Sequence, residues 1–141
     1  MKNYKYLDLL GVEKENQYHN WFDTIDVGNQ EEKWKEERMV YGIDSRSTWN
    51  FNSDTMDYLY IHLKMYNEVN IVELSYHHIE FDGKDYNVQQ ALDMLLSWFE
   101  TVYYPSDRGD SLIDGDTPEH FEEMRFKYMC LFAKILPYLW W

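Results

Sequence analysis

Cysteine, proline and glycine are scarce in this chain, and basic residues are outnumbered by acidic ones. Its 141 residues include one cysteine, three prolines and six glycines. A single cysteine, Cys130, excludes an internal disulfide and a zinc cluster built on cysteines. We expect Cys130 to be a small buried apolar residue on a helix, since free cysteine is among the most buried residue types.

The sequence also lacks long apolar runs and the common catalytic motifs. No run approaches the roughly 20 apolar residues of a membrane span, and residues 1–6 do not resemble a signal peptide. A nucleophile elbow, a glycine-rich phosphate loop and a dinucleotide fingerprint are all missing. We therefore expect a cytoplasmic protein that is not an enzyme, with no catalytic residue, no cofactor and no contact with membranes.

Acidic and aromatic residues are abundant instead. The chain has 26 Asp and Glu against 13 Lys and Arg, a formal net charge of −13, and 18% aromatic residues. Acidic chains that are poor in aromatics tend to be disordered, but this chain has enough aromatic surface to build a core. Its negative surface should repel nucleic acid and attract basic proteins.

Apolar periodicity predicts a mainly α protein, a single compact domain of about four helices over residues 1–141. An irregular N-terminal segment, residues 1–29, is expected to pack on it. The predicted helices cover residues 31–41, 53–67, 87–103 and 118–135. Gly42 is predicted to end the first, Asn87 with Gln90 to form a capping box at the start of the third, and Thr117-Pro118 to begin the fourth. Asp82-Gly83 is a turn signal and predicts a small hairpin between Tyr76–Phe81 and Lys84–Asn87.

Three patterns bear on metal binding, and each has a simpler structural interpretation. Glu80, Asp82 and Lys84 match half of a metal-dependent nuclease site, but Asp82-Gly83 is better explained as a turn. The five histidines show no zinc-ligand spacing. The acidic loop that begins at Asp107 resembles a calcium loop by composition, without the ligand order of an EF-hand. We expect no metal site.

Two acidic clusters are candidates for binding a partner. One lies on the first helix, and the other, the 107–123 cluster, has seven acids and one arginine. An ordered array of carboxylates can imitate the phosphates of nucleic acid and occupy a Lys/Arg-rich groove. The alternative is a solvated face that keeps the protein soluble. The predicted partner-binding residues are Glu32, Glu36, Asp107, Asp110, Asp114, Asp116, Glu119, Glu122 and Glu123.

A small-ligand pocket is the competing hypothesis. Aromatic rings stack on bases and arginine pairs with phosphate, so such a pocket could sequester a nucleotide signal. The residues that could line it are Arg46, Trp49, Tyr58, Tyr60 and Arg125. Most of these aromatics are more simply explained as core residues.

The stretch Gly42-Ile43-Asp44-Ser45-Arg46-Ser47-Thr48-Trp49-Asn50-Phe51 leads into the second predicted helix. It resembles a family of small uncharacterised bacteriophage and prophage proteins, which have an Asp-x-Arg-x-Thr-Trp-Asn turn before an amphipathic helix. The aromatic tail Tyr138-Leu139-Trp140-Trp141 matches the same family. Within the turn, we expect Asp44 to pair with Arg46 or cap the turn, and Trp49 to fill the core.

The resemblance implies a viral accessory protein that acts in the cytoplasm of an infected bacterium. Small acidic phage proteins are often inhibitors of host defence, including CRISPR effectors and restriction enzymes. The resemblance, together with the acidic surface, implies an anti-CRISPR-like inhibitor whose partner is a basic, nucleic-acid-handling host protein, without direct nucleic-acid binding. A nucleotide sponge and a phage structural or assembly protein remain open, as does a homodimer.

Overall fold

The computed structural model of the protein describes residues 30–48 and 50–140. The predicted mainly α class, the four helices and the hairpin are confirmed within those residues. The elements are α1 (Gln30–Tyr41), α2 (Phe51–Val69), β1 (His78–Phe81), β2 (Lys84–Asn87), α3 (Val88–Trp98) and α4 (Pro118–Ile135). The predicted N-terminal segment, residues 1–29, and Trp49 and Trp141 lie outside the described residues.

The described residues group into two compact units, with the boundary inside α2. The first unit extends to Tyr58 and the second begins at Leu59. Each unit is described by itself.

In the first unit, α1 ends at a glycine, as the sequence predicted. Gly42 has a φ of 77°, and its N–H donates to the carbonyl of Arg38 at 3.0 Å. Glycine adopts this left-handed conformation without the steric cost of a Cβ, which is why it commonly ends helices. Trp34 on α1 and Met56 on α2 are buried.

In the second unit, the hairpin follows directly from its turn residues. Phe81 pairs with Lys84, so Asp82 and Gly83 alone connect the two antiparallel strands. Both have positive φ, 56° and 74°, as a type I′ turn requires. The Asp82 carboxylate also accepts from Lys127 on α4 at 2.9 Å, so this aspartate is part of the fold.

Helix α3 begins with the capping box that the sequence predicted. The Asn87 side chain accepts from the Gln90 N–H, and the Gln90 side chain accepts from the Asn87 N–H. The predicted helix does extend to Tyr103, but its last five residues, Phe99–Tyr103, form a π-helical turn. The N–H of Tyr104 donates to the carbonyl of Phe99 at 3.0 Å, five residues back.

Helix α4 packs its aromatic residues against α3. Thr117 caps its start and Pro118 occupies the first turn. The ring of Tyr128 stacks on Trp98 with centroids 5.2 Å apart and planes at 14°. Phe121 lies on the same cluster, 6.4 Å from Trp98.

The predicted burial of Cys130 is wrong, because its side chain is exposed on α4. Cys130 follows the buried Phe121 by nine residues, about two and a half turns, which places it on the opposite side of the helix. No helix in residues 30–48 and 50–140 is both long and apolar enough to cross a membrane.

Candidate functional site

The 107–123 cluster is built on a backbone with many internal hydrogen bonds. Ser106, which precedes it, is fully buried, and its hydroxyl donates to the carbonyl of Val102. The Ser106 carbonyl accepts from the N–H groups of Gly109 at 2.9 Å and Ser111 at 3.0 Å. These bonds fix the path of the chain where the acidic residues begin.

Three consecutive residues of the cluster, Asp107, Arg108 and Gly109, have positive φ angles of 48°, 56° and 97°. Gly109 lies directly against α4, since a Cβ at this position would be only 2.7 Å from Cε1 of Phe121. Only glycine allows so close an approach of backbone to ring. The loop is therefore held against the helix by a buried contact as well as by hydrogen bonds.

Asp116 joins the loop to the start of α4. Its Oδ1 lies 2.7 Å from Nδ1 of His120 and accepts from the N–H of Thr117 at 2.9 Å. The hydrogen bond with His120, helped by that with Thr117, holds the pKa of Asp116 below its usual value. Asp116 therefore has a structural role in addition to its charge.

The basic residues in and beside the cluster lie next to acidic or aromatic partners. The Arg108 guanidinium is 3.9 Å from the Asp107 carboxylate and 5.4 Å from the ring centre of Tyr104. Arg125 pairs with Glu122 one turn earlier on α4. The positive charges of Arg108 and Arg125 are therefore largely neutralised by acidic residues of the cluster itself.

Four exposed carboxylates of the cluster have no hydrogen bond or ion pair to any described residue. They are Asp110, Asp114, Glu119 and Glu123. Of the seven predicted acids, these four are the ones whose charge is free to act on a partner. They lie on the loop and on the first turns of α4, which the contacts above hold in place.

The acidic flank of α1 is weaker than the sequence suggested. Glu31 pairs with Arg38 at 2.7 Å, and Glu37 accepts from the backbone N–H of Ser45 at 2.7 Å. Of the predicted residues, Glu32 and Glu36 are exposed. The same helix contains Lys33, Lys35 and Arg38, so its positive charges nearly balance its acids.

The turn after α1 forms a network of paired charges. The Asp44 carboxylate is almost fully buried and accepts from Arg38 at 2.6 Å and from Nε and Nη2 of Arg46 at 3.0 and 2.9 Å. The Arg46 guanidinium lies 4.3 Å from the ring centre of Trp34. The hydrogen bonds from Arg46, and then from Arg38, outweigh burial and lower the pKa of Asp44 to about 2.

The residues of the competing ligand pocket are placed differently from what that hypothesis needs. Arg46 is engaged with Asp44 in the first unit. Tyr60 is fully buried in the second unit, between Phe99 and Tyr104, and its hydroxyl donates to Glu100 at 3.0 Å. Its ring therefore has no face open to a ligand.

The three other residues proposed for that pocket are Arg125, Trp49 and Tyr58. Arg125 pairs with Glu122 in the second unit, and Trp49 lies outside the described residues. Tyr58 is exposed in the first unit.

Sequence reasoning found the acids of the 107–123 cluster but missed what holds them. The Ser106 hydroxyl bonds locally to the carbonyl of Val102, whereas the contact between Gly109 and Phe121 depends on packing between the loop and α4. A glycine within an acidic loop was a detectable signal, although it does not say which side chain the backbone approaches.

Over residues 30–48 and 50–140, no three His, Cys, Asp or Glu side chains come close enough to hold a metal ion. No protein-family model matches the chain, and no curated protein or solved structure is detectably similar to it.

Proposed function

We propose that this protein is a phage-encoded inhibitor that binds a basic, nucleic-acid-handling host defence protein stoichiometrically. The binding surface is the 107–123 cluster, and the protein acts without chemistry by occupying a groove that would otherwise hold nucleic acid. The supporting observation is that four carboxylates without a partner among the described residues sit on fixed backbone, Asp110 and Asp114 on a loop held by hydrogen bonds and by the Gly109–Phe121 contact, and Glu119 and Glu123 on the first turns of α4.

Fixed charges bind better than mobile ones because less conformational entropy is lost on association. A groove lined with Lys and Arg attracts such a surface over several ångströms and is thereby kept from nucleic acid. The net charge of −13 adds a favourable long-range field for any basic partner. The α1 flank contributes less, since its own lysines and arginine screen its acids.

The test is an affinity capture from bacterial lysate with the immobilised protein, followed by elution with a short DNA duplex. We expect nucleic-acid-binding proteins to be retained at low salt and released by the duplex. Their retention should fall steeply as salt rises, because screening weakens contacts between exposed charges.

The variant Asp110→Asn/Asp114→Asn/Glu123→Gln removes three unpaired charges from the cluster. Its matched control, Glu73→Gln/Glu80→Gln/Asp85→Asn, removes the same number of charges from exposed positions outside both acidic clusters. We expect the first variant to lose the captured proteins and the control to keep them. Equal loss in both variants would show that net charge alone drives binding, and retention in both would contradict the proposal.

A further inference from the structure

A cavity of about 370 Å³ lies beside the π-helical turn of the second unit. Its apolar part comes from Met94, Val102, Trp98 and Tyr128. Its polar part comes from two hydroxyl side chains and one carboxylate, those of Ser97, Thr101 and Asp93. The volume is at the lower end of the range for small-molecule sites, which is roughly 300–1,000 Å³.

Trp98 provides an unexplained polar group at this cavity. Its side chain is only 3% exposed, yet its indole Nε1–H is a buried donor with no hydrogen-bond partner among the residues that the structure describes. Buried donors in native proteins are nearly always satisfied, so an exception calls for an explanation. The nitrogen has essentially no surface open to solvent, so a ligand acceptor reaches it only if binding displaces the atoms that cover it.

The backbone at the cavity is also unusual. The π-helical turn Phe99–Tyr103 directly follows Trp98 and contributes Thr101 and Val102 to the wall. The Thr101 hydroxyl donates to the carbonyl of Ser97 at 2.7 Å, inside the same wall. Single π-helical turns are rare and are frequent at functional sites. The irregular turn and the unsatisfied donor therefore occur at one place.

The charges around the cavity restrict the class of ligand. The ionisable side chains that line the cavity are those of Asp93 and Tyr128. The lining contains no Lys, Arg or His among the described residues, so it offers no positive charge to a ligand. Asp93 uses Oδ1 to accept from Gln89 at 3.0 Å, which leaves Oδ2 without a partner within residues 30–48 and 50–140. With a net charge of −13 as well, a phosphate group would be repelled.

We propose that this cavity binds an uncharged planar heterocycle with the hydrogen-bonding edge of a nucleobase. An acceptor atom of the ring takes the Trp98 N–H, and a ring N–H donates to the Asp93 carboxylate. The apolar side chains cover the ring itself. This site is distinct from the 107–123 cluster, and its occupant is a nucleoside-like molecule without phosphate.

The experiment follows the indole N–H signals of the full chain, labelled with nitrogen-15, by two-dimensional NMR. The Trp98 signal is assigned as the one missing from Trp98→Phe. Guanosine is the first probe, because its base has a carbonyl acceptor beside two donors, and the other three nucleosides follow. We expect guanosine to shift the Trp98 signal saturably, and guanosine 5′-monophosphate to bind at least about tenfold more weakly at low salt.

Asp93→Asn keeps a side chain that can accept from Gln89 and removes the charge. We expect it to weaken guanosine binding about tenfold, as for loss of a hydrogen bond to a charged group, while Glu80→Gln, at an exposed position that does not line the cavity, leaves binding unchanged. If Trp98→Phe does not fold, the Trp98 signal is the one that remains in each of the five other single Trp→Phe variants. The proposal is overturned if none of the four nucleosides moves that signal, or if Asp93→Asn and the monophosphate bind as tightly as the reference.

Discussion

The turn after α1 and the 107–123 cluster contain the same kinds of charged residue, but they differ in how many of the charges are paired. In the turn, Asp44 lies between Arg38 and Arg46, and Glu31 holds the other side of Arg38. In the 107–123 cluster, four exposed carboxylates have no such partner in the part of the chain that the structure describes. The Asp44 carboxylate at the centre of the network is shielded from water, whereas Glu31 at its edge and the four carboxylates of the cluster are exposed.

The two regions also differ in what holds their backbone in place. Around Asp44, ion pairs and hydrogen bonds to side chains define the turn, so the charges stabilise the fold. In the cluster, backbone hydrogen bonds and the Gly109–Phe121 contact define the loop, so the fold presents the charges. A charge change should therefore cost stability in the first region and partner binding in the second.

The largest effect should come from the position that fixes the acidic loop. Gly109→Ala forces a side chain into a φ of 97° and brings its Cβ to 2.7 Å from Phe121. Backbone strain and overpacking each cost about 1–3 kcal/mol, so we expect the free energy of unfolding to fall by about 3 kcal/mol. Urea denaturation followed by circular dichroism measures it.

Gly115→Ala is the matched control in the same loop. Gly115 has a similar φ of 88°, but a Cβ there meets no atom within 4 Å. We expect this variant to lose only the strain part, about 1 kcal/mol. Equal losses for the two variants would mean that the contact with Phe121 does not hold the loop.

The second effect concerns the paired region. Asp44→Asn removes the carboxylate that both arginines share, and we expect it to lower the free energy of unfolding by about 2 kcal/mol at pH 7, the amount that a pKa lowered to about 2 represents. The pKa of Asp44 is lower in the folded than in the unfolded protein. Its contribution is therefore complete above pH 4 and is lost as the pH falls from 4 to 2.

Stability curves of the reference protein and Asp44→Asn, measured between pH 7 and pH 2, test this. They should converge at the acidic end. Asp114→Asn, at an exposed carboxylate without a partner, should run parallel to the reference protein over the whole range. A constant gap between the Asp44→Asn curve and the reference curve would contradict the assignment.

The elements of the fold were largely predictable from local sequence signals. Asp82-Gly83 predicted the turn, Asn87 with Gln90 the capping box, and Thr117-Pro118 the start of α4, because each signal acts over a few residues. The π-helical turn at Phe99–Tyr103 was not predictable, since its residues continue the apolar stripe of α3. It is a property of packing in the aromatic cluster and not of local propensity.

The candidate site also has one part that the sequence predicted and one part that it did not. Its acids were visible as a charge run, whereas which of them stay unpaired depends on contacts such as His120 with Asp116 and Arg125 with Glu122. The unsatisfied N–H of Trp98 was likewise invisible, because the sequence marks Trp98 as neither core nor site. Tertiary contacts decide these roles.

The smallest effect is on the stability of the cluster itself. Asp110→Asn/Asp114→Asn/Glu123→Gln relieves repulsion between exposed like charges and removes no described ion pair. We expect the free energy of unfolding to rise by less than about 0.5 kcal/mol at low salt, because exposed charges interact weakly through water. The gain should disappear in high salt, where the repulsion is already screened.

Thermal unfolding at low and high salt measures this gain. A loss of stability instead, present in both salt conditions, would show that these carboxylates hold the loop as Asp44 holds its turn, and the contrast between the two regions would fail. A small gain combined with lost capture of basic proteins would mean that the unpaired charges are maintained at some cost to folding. That combination is typical of residues retained for binding, and it would distinguish the cluster from a face that serves only solubility.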